Sequence, residues 1–211
     1  MNSDVYRMKA RKYELRQRAA LQAETRQRIV EAVFALHREI GPARTTISAI
    51  AERAGVERLT VYRHFGGEAA LFAACAAHFR AETPPPDPAA WTAIDDPVAR
   101  LRAALVAYYD YYRRAEDMLA NVTRDAPRVP ALAPFVERRL AAATATRDRL
   151  LEGWGARGAR RTRLAAAIGL ALRFETWQAL AREELLSDVV AAELMVRLAQ
   201  AAQGSFSASK S

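Results

Sequence analysis

Residues Thr45–Leu71 read TTISAIAERAGVERLTVYRHFGGEAAL. Thr46 can cap a helix by accepting an orphan backbone N–H, and Ile47, Ile50, Ala51 and Ala54 then recur at the spacing of one buried helical face. Gly55 permits the backbone of a sharp turn, and Val56 plugs its corner. A second short helix starts at Glu57, carries Val61 and Phe65 inward and is broken by Gly66-Gly67. Two short helices flanking Ala54-Gly55-Val56, the second crowded with polar side chains, are the pattern of a helix-turn-helix, whose second helix lies in the major groove of duplex DNA.

Upstream, Thr25 can cap a helix in which Ile29, Val33, Leu36 and Ile40 share a face, until Gly41-Pro42 stops it. Downstream, a fourth helix runs from about Glu68 to Glu82. Eight of the nine prolines fall between Pro84 and Pro134, and Thr83-Pro84-Pro85-Pro86-Asp87-Pro88 reads as a stiff, non-helical spacer. A helix follows from Asp96-Pro97 to about Leu119, another covers roughly 134–154, and two more cover about 159–184 and 187–203. No segment alternates apolar and polar residues long enough for a strand. The expected fold is all-α: an N-terminal three-helix helix-turn-helix domain and a C-terminal helical bundle. The boundaries read as a basic arm over 1–24, the DNA-binding domain over 25–82, a Pro-rich linker over 83–97, the bundle over 98–204 and a disordered Ser-rich tail over 205–211.

Charge agrees with that division. Residues 1–80 carry a net +6 and residues 81–211 a net +2, so the basic surplus sits with the motif, as an anionic polymer partner requires. A membrane surface would attract the same charge. The 51% hydrophobic content excludes disorder of the whole chain. Cys75 is the sole cysteine, so an intrachain disulfide is excluded. No apolar signal region or membrane span is read, and a cytoplasmic location without membrane association is expected.

The outward candidates on the second helix are Arg58, Leu59, Thr60 and Arg63. An arginine can meet guanine through two parallel hydrogen bonds; Thr60 can touch a thymine methyl or a phosphate. Tyr62 and His64 suit phosphates, contacts that position rather than specify. Arg44, Thr45 and Thr46 stand where hydroxyls and helix-start N–H groups can grip the opposite strand. In the arm, Arg7, Lys9, Arg11, Lys12, Arg16 and Arg18 can follow the backbone or enter a minor groove, or be a solvated tail.

At Thr46, Ile50-Ala51, Ala54-Gly55-Val56 and Tyr62-Arg63-His64-Phe65 the chain resembles the TetR/AcrR family of bacterial repressors, and Leu71 matches an early leucine of the family's fourth helix. The resemblance implies a transcriptional regulator: a homodimer bound to a double-stranded palindromic operator and released by a small-molecule effector. It also implies that the last two helices, rich in Ala165–Ala167, Ala171, Ala191, Ala192, Ala199, Ala201 and Ala202, form the dimer interface; intrachain packing is the plain alternative. Family members usually place Ser or Thr at the position of Glu57 and often Lys at that of Glu68. Two carboxylates there repel DNA, so affinity is expected to lean on Arg44, Arg63 and the arm.

Four tyrosines crowd residues 108–112, and their hydroxyls need partners if buried. A largely apolar cavity with a few polar points is one solution, and Tyr108, Tyr112, Trp154, Arg173, Phe174 and Trp177 are its candidate lining. Cys75 and His78 are spaced i, i+3, but no third ligand is near, so no metal site is expected. No catalytic triad, phosphate loop or dinucleotide fingerprint is present; no cofactor, catalytic residue or enzymatic activity is expected. The alternatives are a helical ligand-binding or enzymatic protein whose basic third is incidental, and a protein binding any duplex or anionic surface by charge alone.

Overall fold

The computed structural model describes residues 3–204, with side chains from Arg11 onward. The expected tail over 205–211 and the side chains of Arg7 and Lys9 lie outside the described residues. All regular elements among them are helical, and the chain divides into two compact units.

The first unit comprises residues up to Ala81 together with Ala120–Leu132. Helix α1 spans Ser3–Glu39, so the helix expected from Thr25 starts far earlier and Thr25 is interior rather than a cap. In its second half Ile29, Val30, Val33 and Leu36 are buried, whereas every residue from 11 to 24 is exposed. Helix α2 (Ile47–Ala54) is capped as expected, the Ala49 N–H donating to Thr46 Oγ1 at 3.1 Å. It ends at Gly55 in the left-handed region, φ 64°. The Val56 N–H reaches the Ala51 carbonyl at 3.0 Å and the Gly55 N–H that of Glu52 at 3.1 Å, the paired bonds of a Schellman turn. Helix α3 (Arg58–Phe65) buries Val61 and Phe65 and stops at left-handed Gly66. Helix α4 (Glu68–Glu82) buries Leu71, Cys75 and Phe79, completing one core with α1 to α3.

The second unit comprises residues 82–119 and 133 onward. The spacer Thr83–Pro88 is non-helical, and in the rest of the 83–97 stretch α5 (Ala89–Thr92) forms and buries Trp91. Helix α6 (Pro97–Asp125) starts as predicted, with Asp96 Oδ2 accepting the Ala99 N–H at 2.8 Å, but it runs six residues beyond Leu119. Helix α7 is Ala133–Leu150. The single helix expected over 159–184 is broken: α8 (Gly158–Ala171) ends at Leu172-Arg173, α9 is Phe174–Gln178, and a π-helical turn covers Ala179–Glu183. The break has a cause outside the segment. Tyr109 Oη donates to the Ala171 carbonyl at 3.0 Å and Tyr112 Oη to that of Leu172. Carbonyls at the helix end thus find side-chain donors from α6 instead of the next turn. Helix α10 (Asp188–Gln203) is capped by Ser187. Ala171, Ala191, Ala192 and Ala199 are fully sealed, the small residues that let α8 and α10 approach closely.

Candidate nucleic-acid interface

Helix α3 turns its polar face outward because Val61 and Phe65 are fixed inward and the Schellman turn at Gly55 sets its start. Arg58, Leu59, Tyr62 and Arg63 are exposed; Thr60 and His64 are half-buried. Leu59 is 69% exposed and Tyr62 48%, so an aliphatic and an aromatic side chain stand beside the two arginines on the outer face of the helix. Arg63 Nη2 donates to Thr60 Oγ1 at 3.2 Å, which orients the guanidinium along the helix. The Arg26 guanidinium lies 4.2 Å from the centre of the Phe65 ring and braces the inner side.

The entry to α2 separates Thr45 from Thr46. Thr45 Oγ1 donates to the Gly41 carbonyl at 2.9 Å, so its hydroxyl proton is engaged. Thr46 Oγ1 instead accepts from Ala49 and retains its proton for an outside acceptor such as a phosphate oxygen. Arg44 is exposed, its Nε donating to the Ile40 carbonyl at 2.8 Å.

Sequence reasoning missed what holds this entry. The last turn of α6 belongs to the first unit. Asn121 Nδ2 donates to the Arg38 carbonyl at 2.7 Å, Arg124 Nη2 to that of Ile40 at 3.2 Å, and Asp125 Oδ2 accepts the Ala43 N–H at 3.0 Å. Asp125 is buried, and the adjoining Arg124 guanidinium holds its carboxyl below the ordinary carboxylate range. The turn Pro42–Arg44 is thereby tied down at the entry to α2. Pro127, two residues past the helix end, is the signal that marks the longer α6.

Cys75 pairs with His37, Sγ to Nδ1 at 3.5 Å, while His78 packs its ring edge-on to Phe34 at 4.9 Å. Burial pushes the thiol up to about 12 and the His37 imidazole down to about 4. No group of three or more His, Cys, Asp or Glu able to hold a metal ion occurs among the described residues. No helix there is long and apolar enough to cross a membrane.

In the second unit an open groove of about 1190 Å³ runs between α7 and α8. Of the expected lining, Tyr112, Arg173 and Phe174 face it. Tyr108, Trp154 and Trp177 do not. Tyr108 Oη meets Thr146 Oγ1 at 3.0 Å, Trp154 Nε1 donates to the Leu150 carbonyl at 2.8 Å, and Trp177 Nε1 to Asp188 Oδ1 at 2.9 Å. Their polar atoms are used in holding the bundle. Arg139, Arg147 and Arg161 line the groove instead.

Residues 29–75 match the model of the bacterial regulatory proteins of the tetR family. Comparison with curated proteins gives no match. Among solved structures, a TetR-like transcriptional regulator from Rhodococcus sp. RHA1 aligns with TM-score 0.59 and 21% identity, over 83% of this chain and 93% of that one. The SmeT–triclosan complex aligns with TM-score 0.59 and 24% identity, over 84% and 90%. NalD, the secondary repressor of the MexAB-OprM multidrug efflux pump in Pseudomonas aeruginosa, aligns with TM-score 0.54 and 24% identity, over 85% and 96%. Residues 29–75 thus resemble the amino-terminal region of tetR-family regulators, and the fold of the chain is that of TetR-like transcriptional regulators.

Proposed function

We propose that the protein is a homodimeric, cytoplasmic transcriptional repressor that leaves a palindromic operator when a small molecule binds its second unit. The observation that carries this reading is the outward row of Arg58, Leu59, Tyr62 and Arg63 on a helix whose start is set by the Gly55 turn. Arg63 and Arg58 read base edges; Tyr62, His64, Thr46 and Arg44 meet phosphates. The basic first half of α1 adds Arg11, Lys12, Arg16 and Arg18, all exposed, as further backbone contacts.

Dimerisation through α8 and α10 is supported by the apolar side chains they leave outside: Leu170, Val190, Leu194 and Leu198 are each at least 38% exposed. A dimer sets two α3 helices into successive major grooves about 34–36 Å apart. The groove bordered by Tyr112, Arg173 and Phe174 is the effector site in this reading, and a solved structure of the same fold is a complex with triclosan. Effector binding need shift the DNA-binding equilibrium by only about 1–3 kcal/mol.

The test is selection of bound fragments from random duplex DNA, followed by gel shift with Arg63→Ala and Tyr62→Ala. Both variants should lose selective binding while keeping wild-type helicity by circular dichroism. Selective binding that survives both changes would remove α3 from the interface.

A further inference from the structure

We propose that Arg128, which follows α6 and lies far from the helix-turn-helix in sequence, is a phosphate-contacting residue of the DNA interface. The proposal rests on the reading of α3 as the recognition helix.

Arg128 closes the short 3-10 turn Ala126–Arg128. This turn is anchored on both sides. Before it, Asp125 is buried and holds the Ala43 N–H. After it, the Val129 N–H donates to the Asp125 carbonyl at 3.1 Å, and Leu132 is buried. Arg128 itself is exposed, so a fixed base carries a side chain free to face a partner.

A groove of about 410 Å³ within the first unit is lined by Arg128 together with Thr45, Thr46, Ser48, Arg58 and Tyr62. Its cations are Arg58 and Arg128, and Glu68 is its sole carboxylate. Two guanidinium groups and the hydroxyls of Thr46, Ser48 and Tyr62 around one groove suit an anion. Arg58 and Tyr62 make the groove continuous with the exposed face of α3, so its occupant is the sugar–phosphate strand of the duplex being read. Arg128 is the one cation of the groove that α3 does not supply.

A phosphate contact has a signature that a base contact lacks. Each neutralised phosphate contributes about 0.9 to the slope of log affinity against log salt, whatever the sequence. Arg128→Ala should therefore lower that slope by about 0.9 for each protomer on the DNA. The ratio of wild-type to variant affinity should shrink between 50 and 200 mM salt by about threefold for each protomer, hence by about tenfold for the dimer. The loss should be alike on a selected operator and on an unrelated duplex. Arg128→Lys should restore the slope, because a phosphate contact needs the charge rather than the planar fork. Arg63→Ala, measured beside it, should instead abolish the preference between the two duplexes.

An unchanged slope and affinity in Arg128→Ala, with preference lost in Arg63→Ala, overturns the proposal and leaves the recognition helix standing. A lysine variant as weak as the alanine one, with a lowered melting temperature in both, also overturns it and makes Arg128 a support of its turn. Binding unaffected by either Arg63→Ala or Arg128→Ala rejects the recognition helix and this proposal together.

Discussion

The Asp125 carboxylate accepts the Ala43 backbone N–H at 3.0 Å, joining positions 82 residues apart in sequence. Two Arg124 nitrogens also reach this carboxylate, at 2.7 and 3.0 Å. Hydrogen bonds to an ionised, buried partner are the stronger kind, about 1.5–3 kcal/mol. Asp125→Ala should cost about 2 kcal/mol and lower Tm by about 4–8 °C. Arg124→Ala should cost less, because that side chain is exposed and its loss leaves the Ala43 bond in place. Calorimetric scans in which the two variants melt together would show that the Ala43 bond contributes nothing.

Glycine is required at 41 for two reasons, of which position 55 shares only one. Gly41 has φ +88°, and a Cβ there would run into the Arg124 guanidinium and the Asp125 carboxylate; Gly55 has φ +64° but open space around it. The left-handed backbone alone costs an alanine about 1–2 kcal/mol. Gly55→Ala should lose about that much in chemical denaturation, and Gly41→Ala clearly more. Equal losses would mean that the ion pair moves aside freely.

His37 makes stability depend on pH. Burial holds its folded pKa at about 4, against the ordinary 6.5, with Asp125 pulling weakly the other way. Between these values the unfolded chain binds the proton and the folded one does not, so stability rises with pH. The contribution is whole above 6.5, shrinks as pH falls from 6.5 to about 4, and levels off below. Denaturation midpoints of His37→Phe, which keeps a ring against Phe72, should lie flatter across that window than those of the wild type. Parallel curves would exclude His37 as the titrating group.

Tyr109→Phe removes the donor to the Ala171 carbonyl, in a site where the tyrosine is fully buried. An unpaired buried carbonyl costs about 1–3 kcal/mol. The variant should lose about that in stability and should shift the Phe174 ring signals in NMR spectra, since the bend it supports leads into α9. A wild-type spectrum would show the bend to be set by other contacts.

The same tyrosines explain which parts of the architecture the residues announce in advance. The Thr46 cap, the Gly55 turn and the inward Val61 and Phe65 depend on neighbours within one or two turns, so spacing alone reveals them. The exposed face of α3 follows from them by subtraction. The bend at Leu172-Arg173 depends on hydroxyls carried by a helix about 60 residues earlier, and no local propensity in a run of alanine and leucine hints at it. The start of α1 was hidden for the opposite reason: residues 11–24 are helical without a buried face, so no apolar period marks them. The groove shows the limit for side chains. Trp154 and Trp177 read as cavity lining by type, yet each spends its indole N–H on a structural acceptor.

Trp91, Trp154 and Trp177 are the chain's three tryptophans, and all are buried in the second unit. The Trp177 ring lies 6.1 Å from Tyr112 and 5.6 Å from Phe174, both on the wall of the larger groove. Indole emission therefore watches one half of the molecule and ignores the other. An excited-state lifetime that changes with an added compound, at constant DNA occupancy, locates the compound without any attached dye.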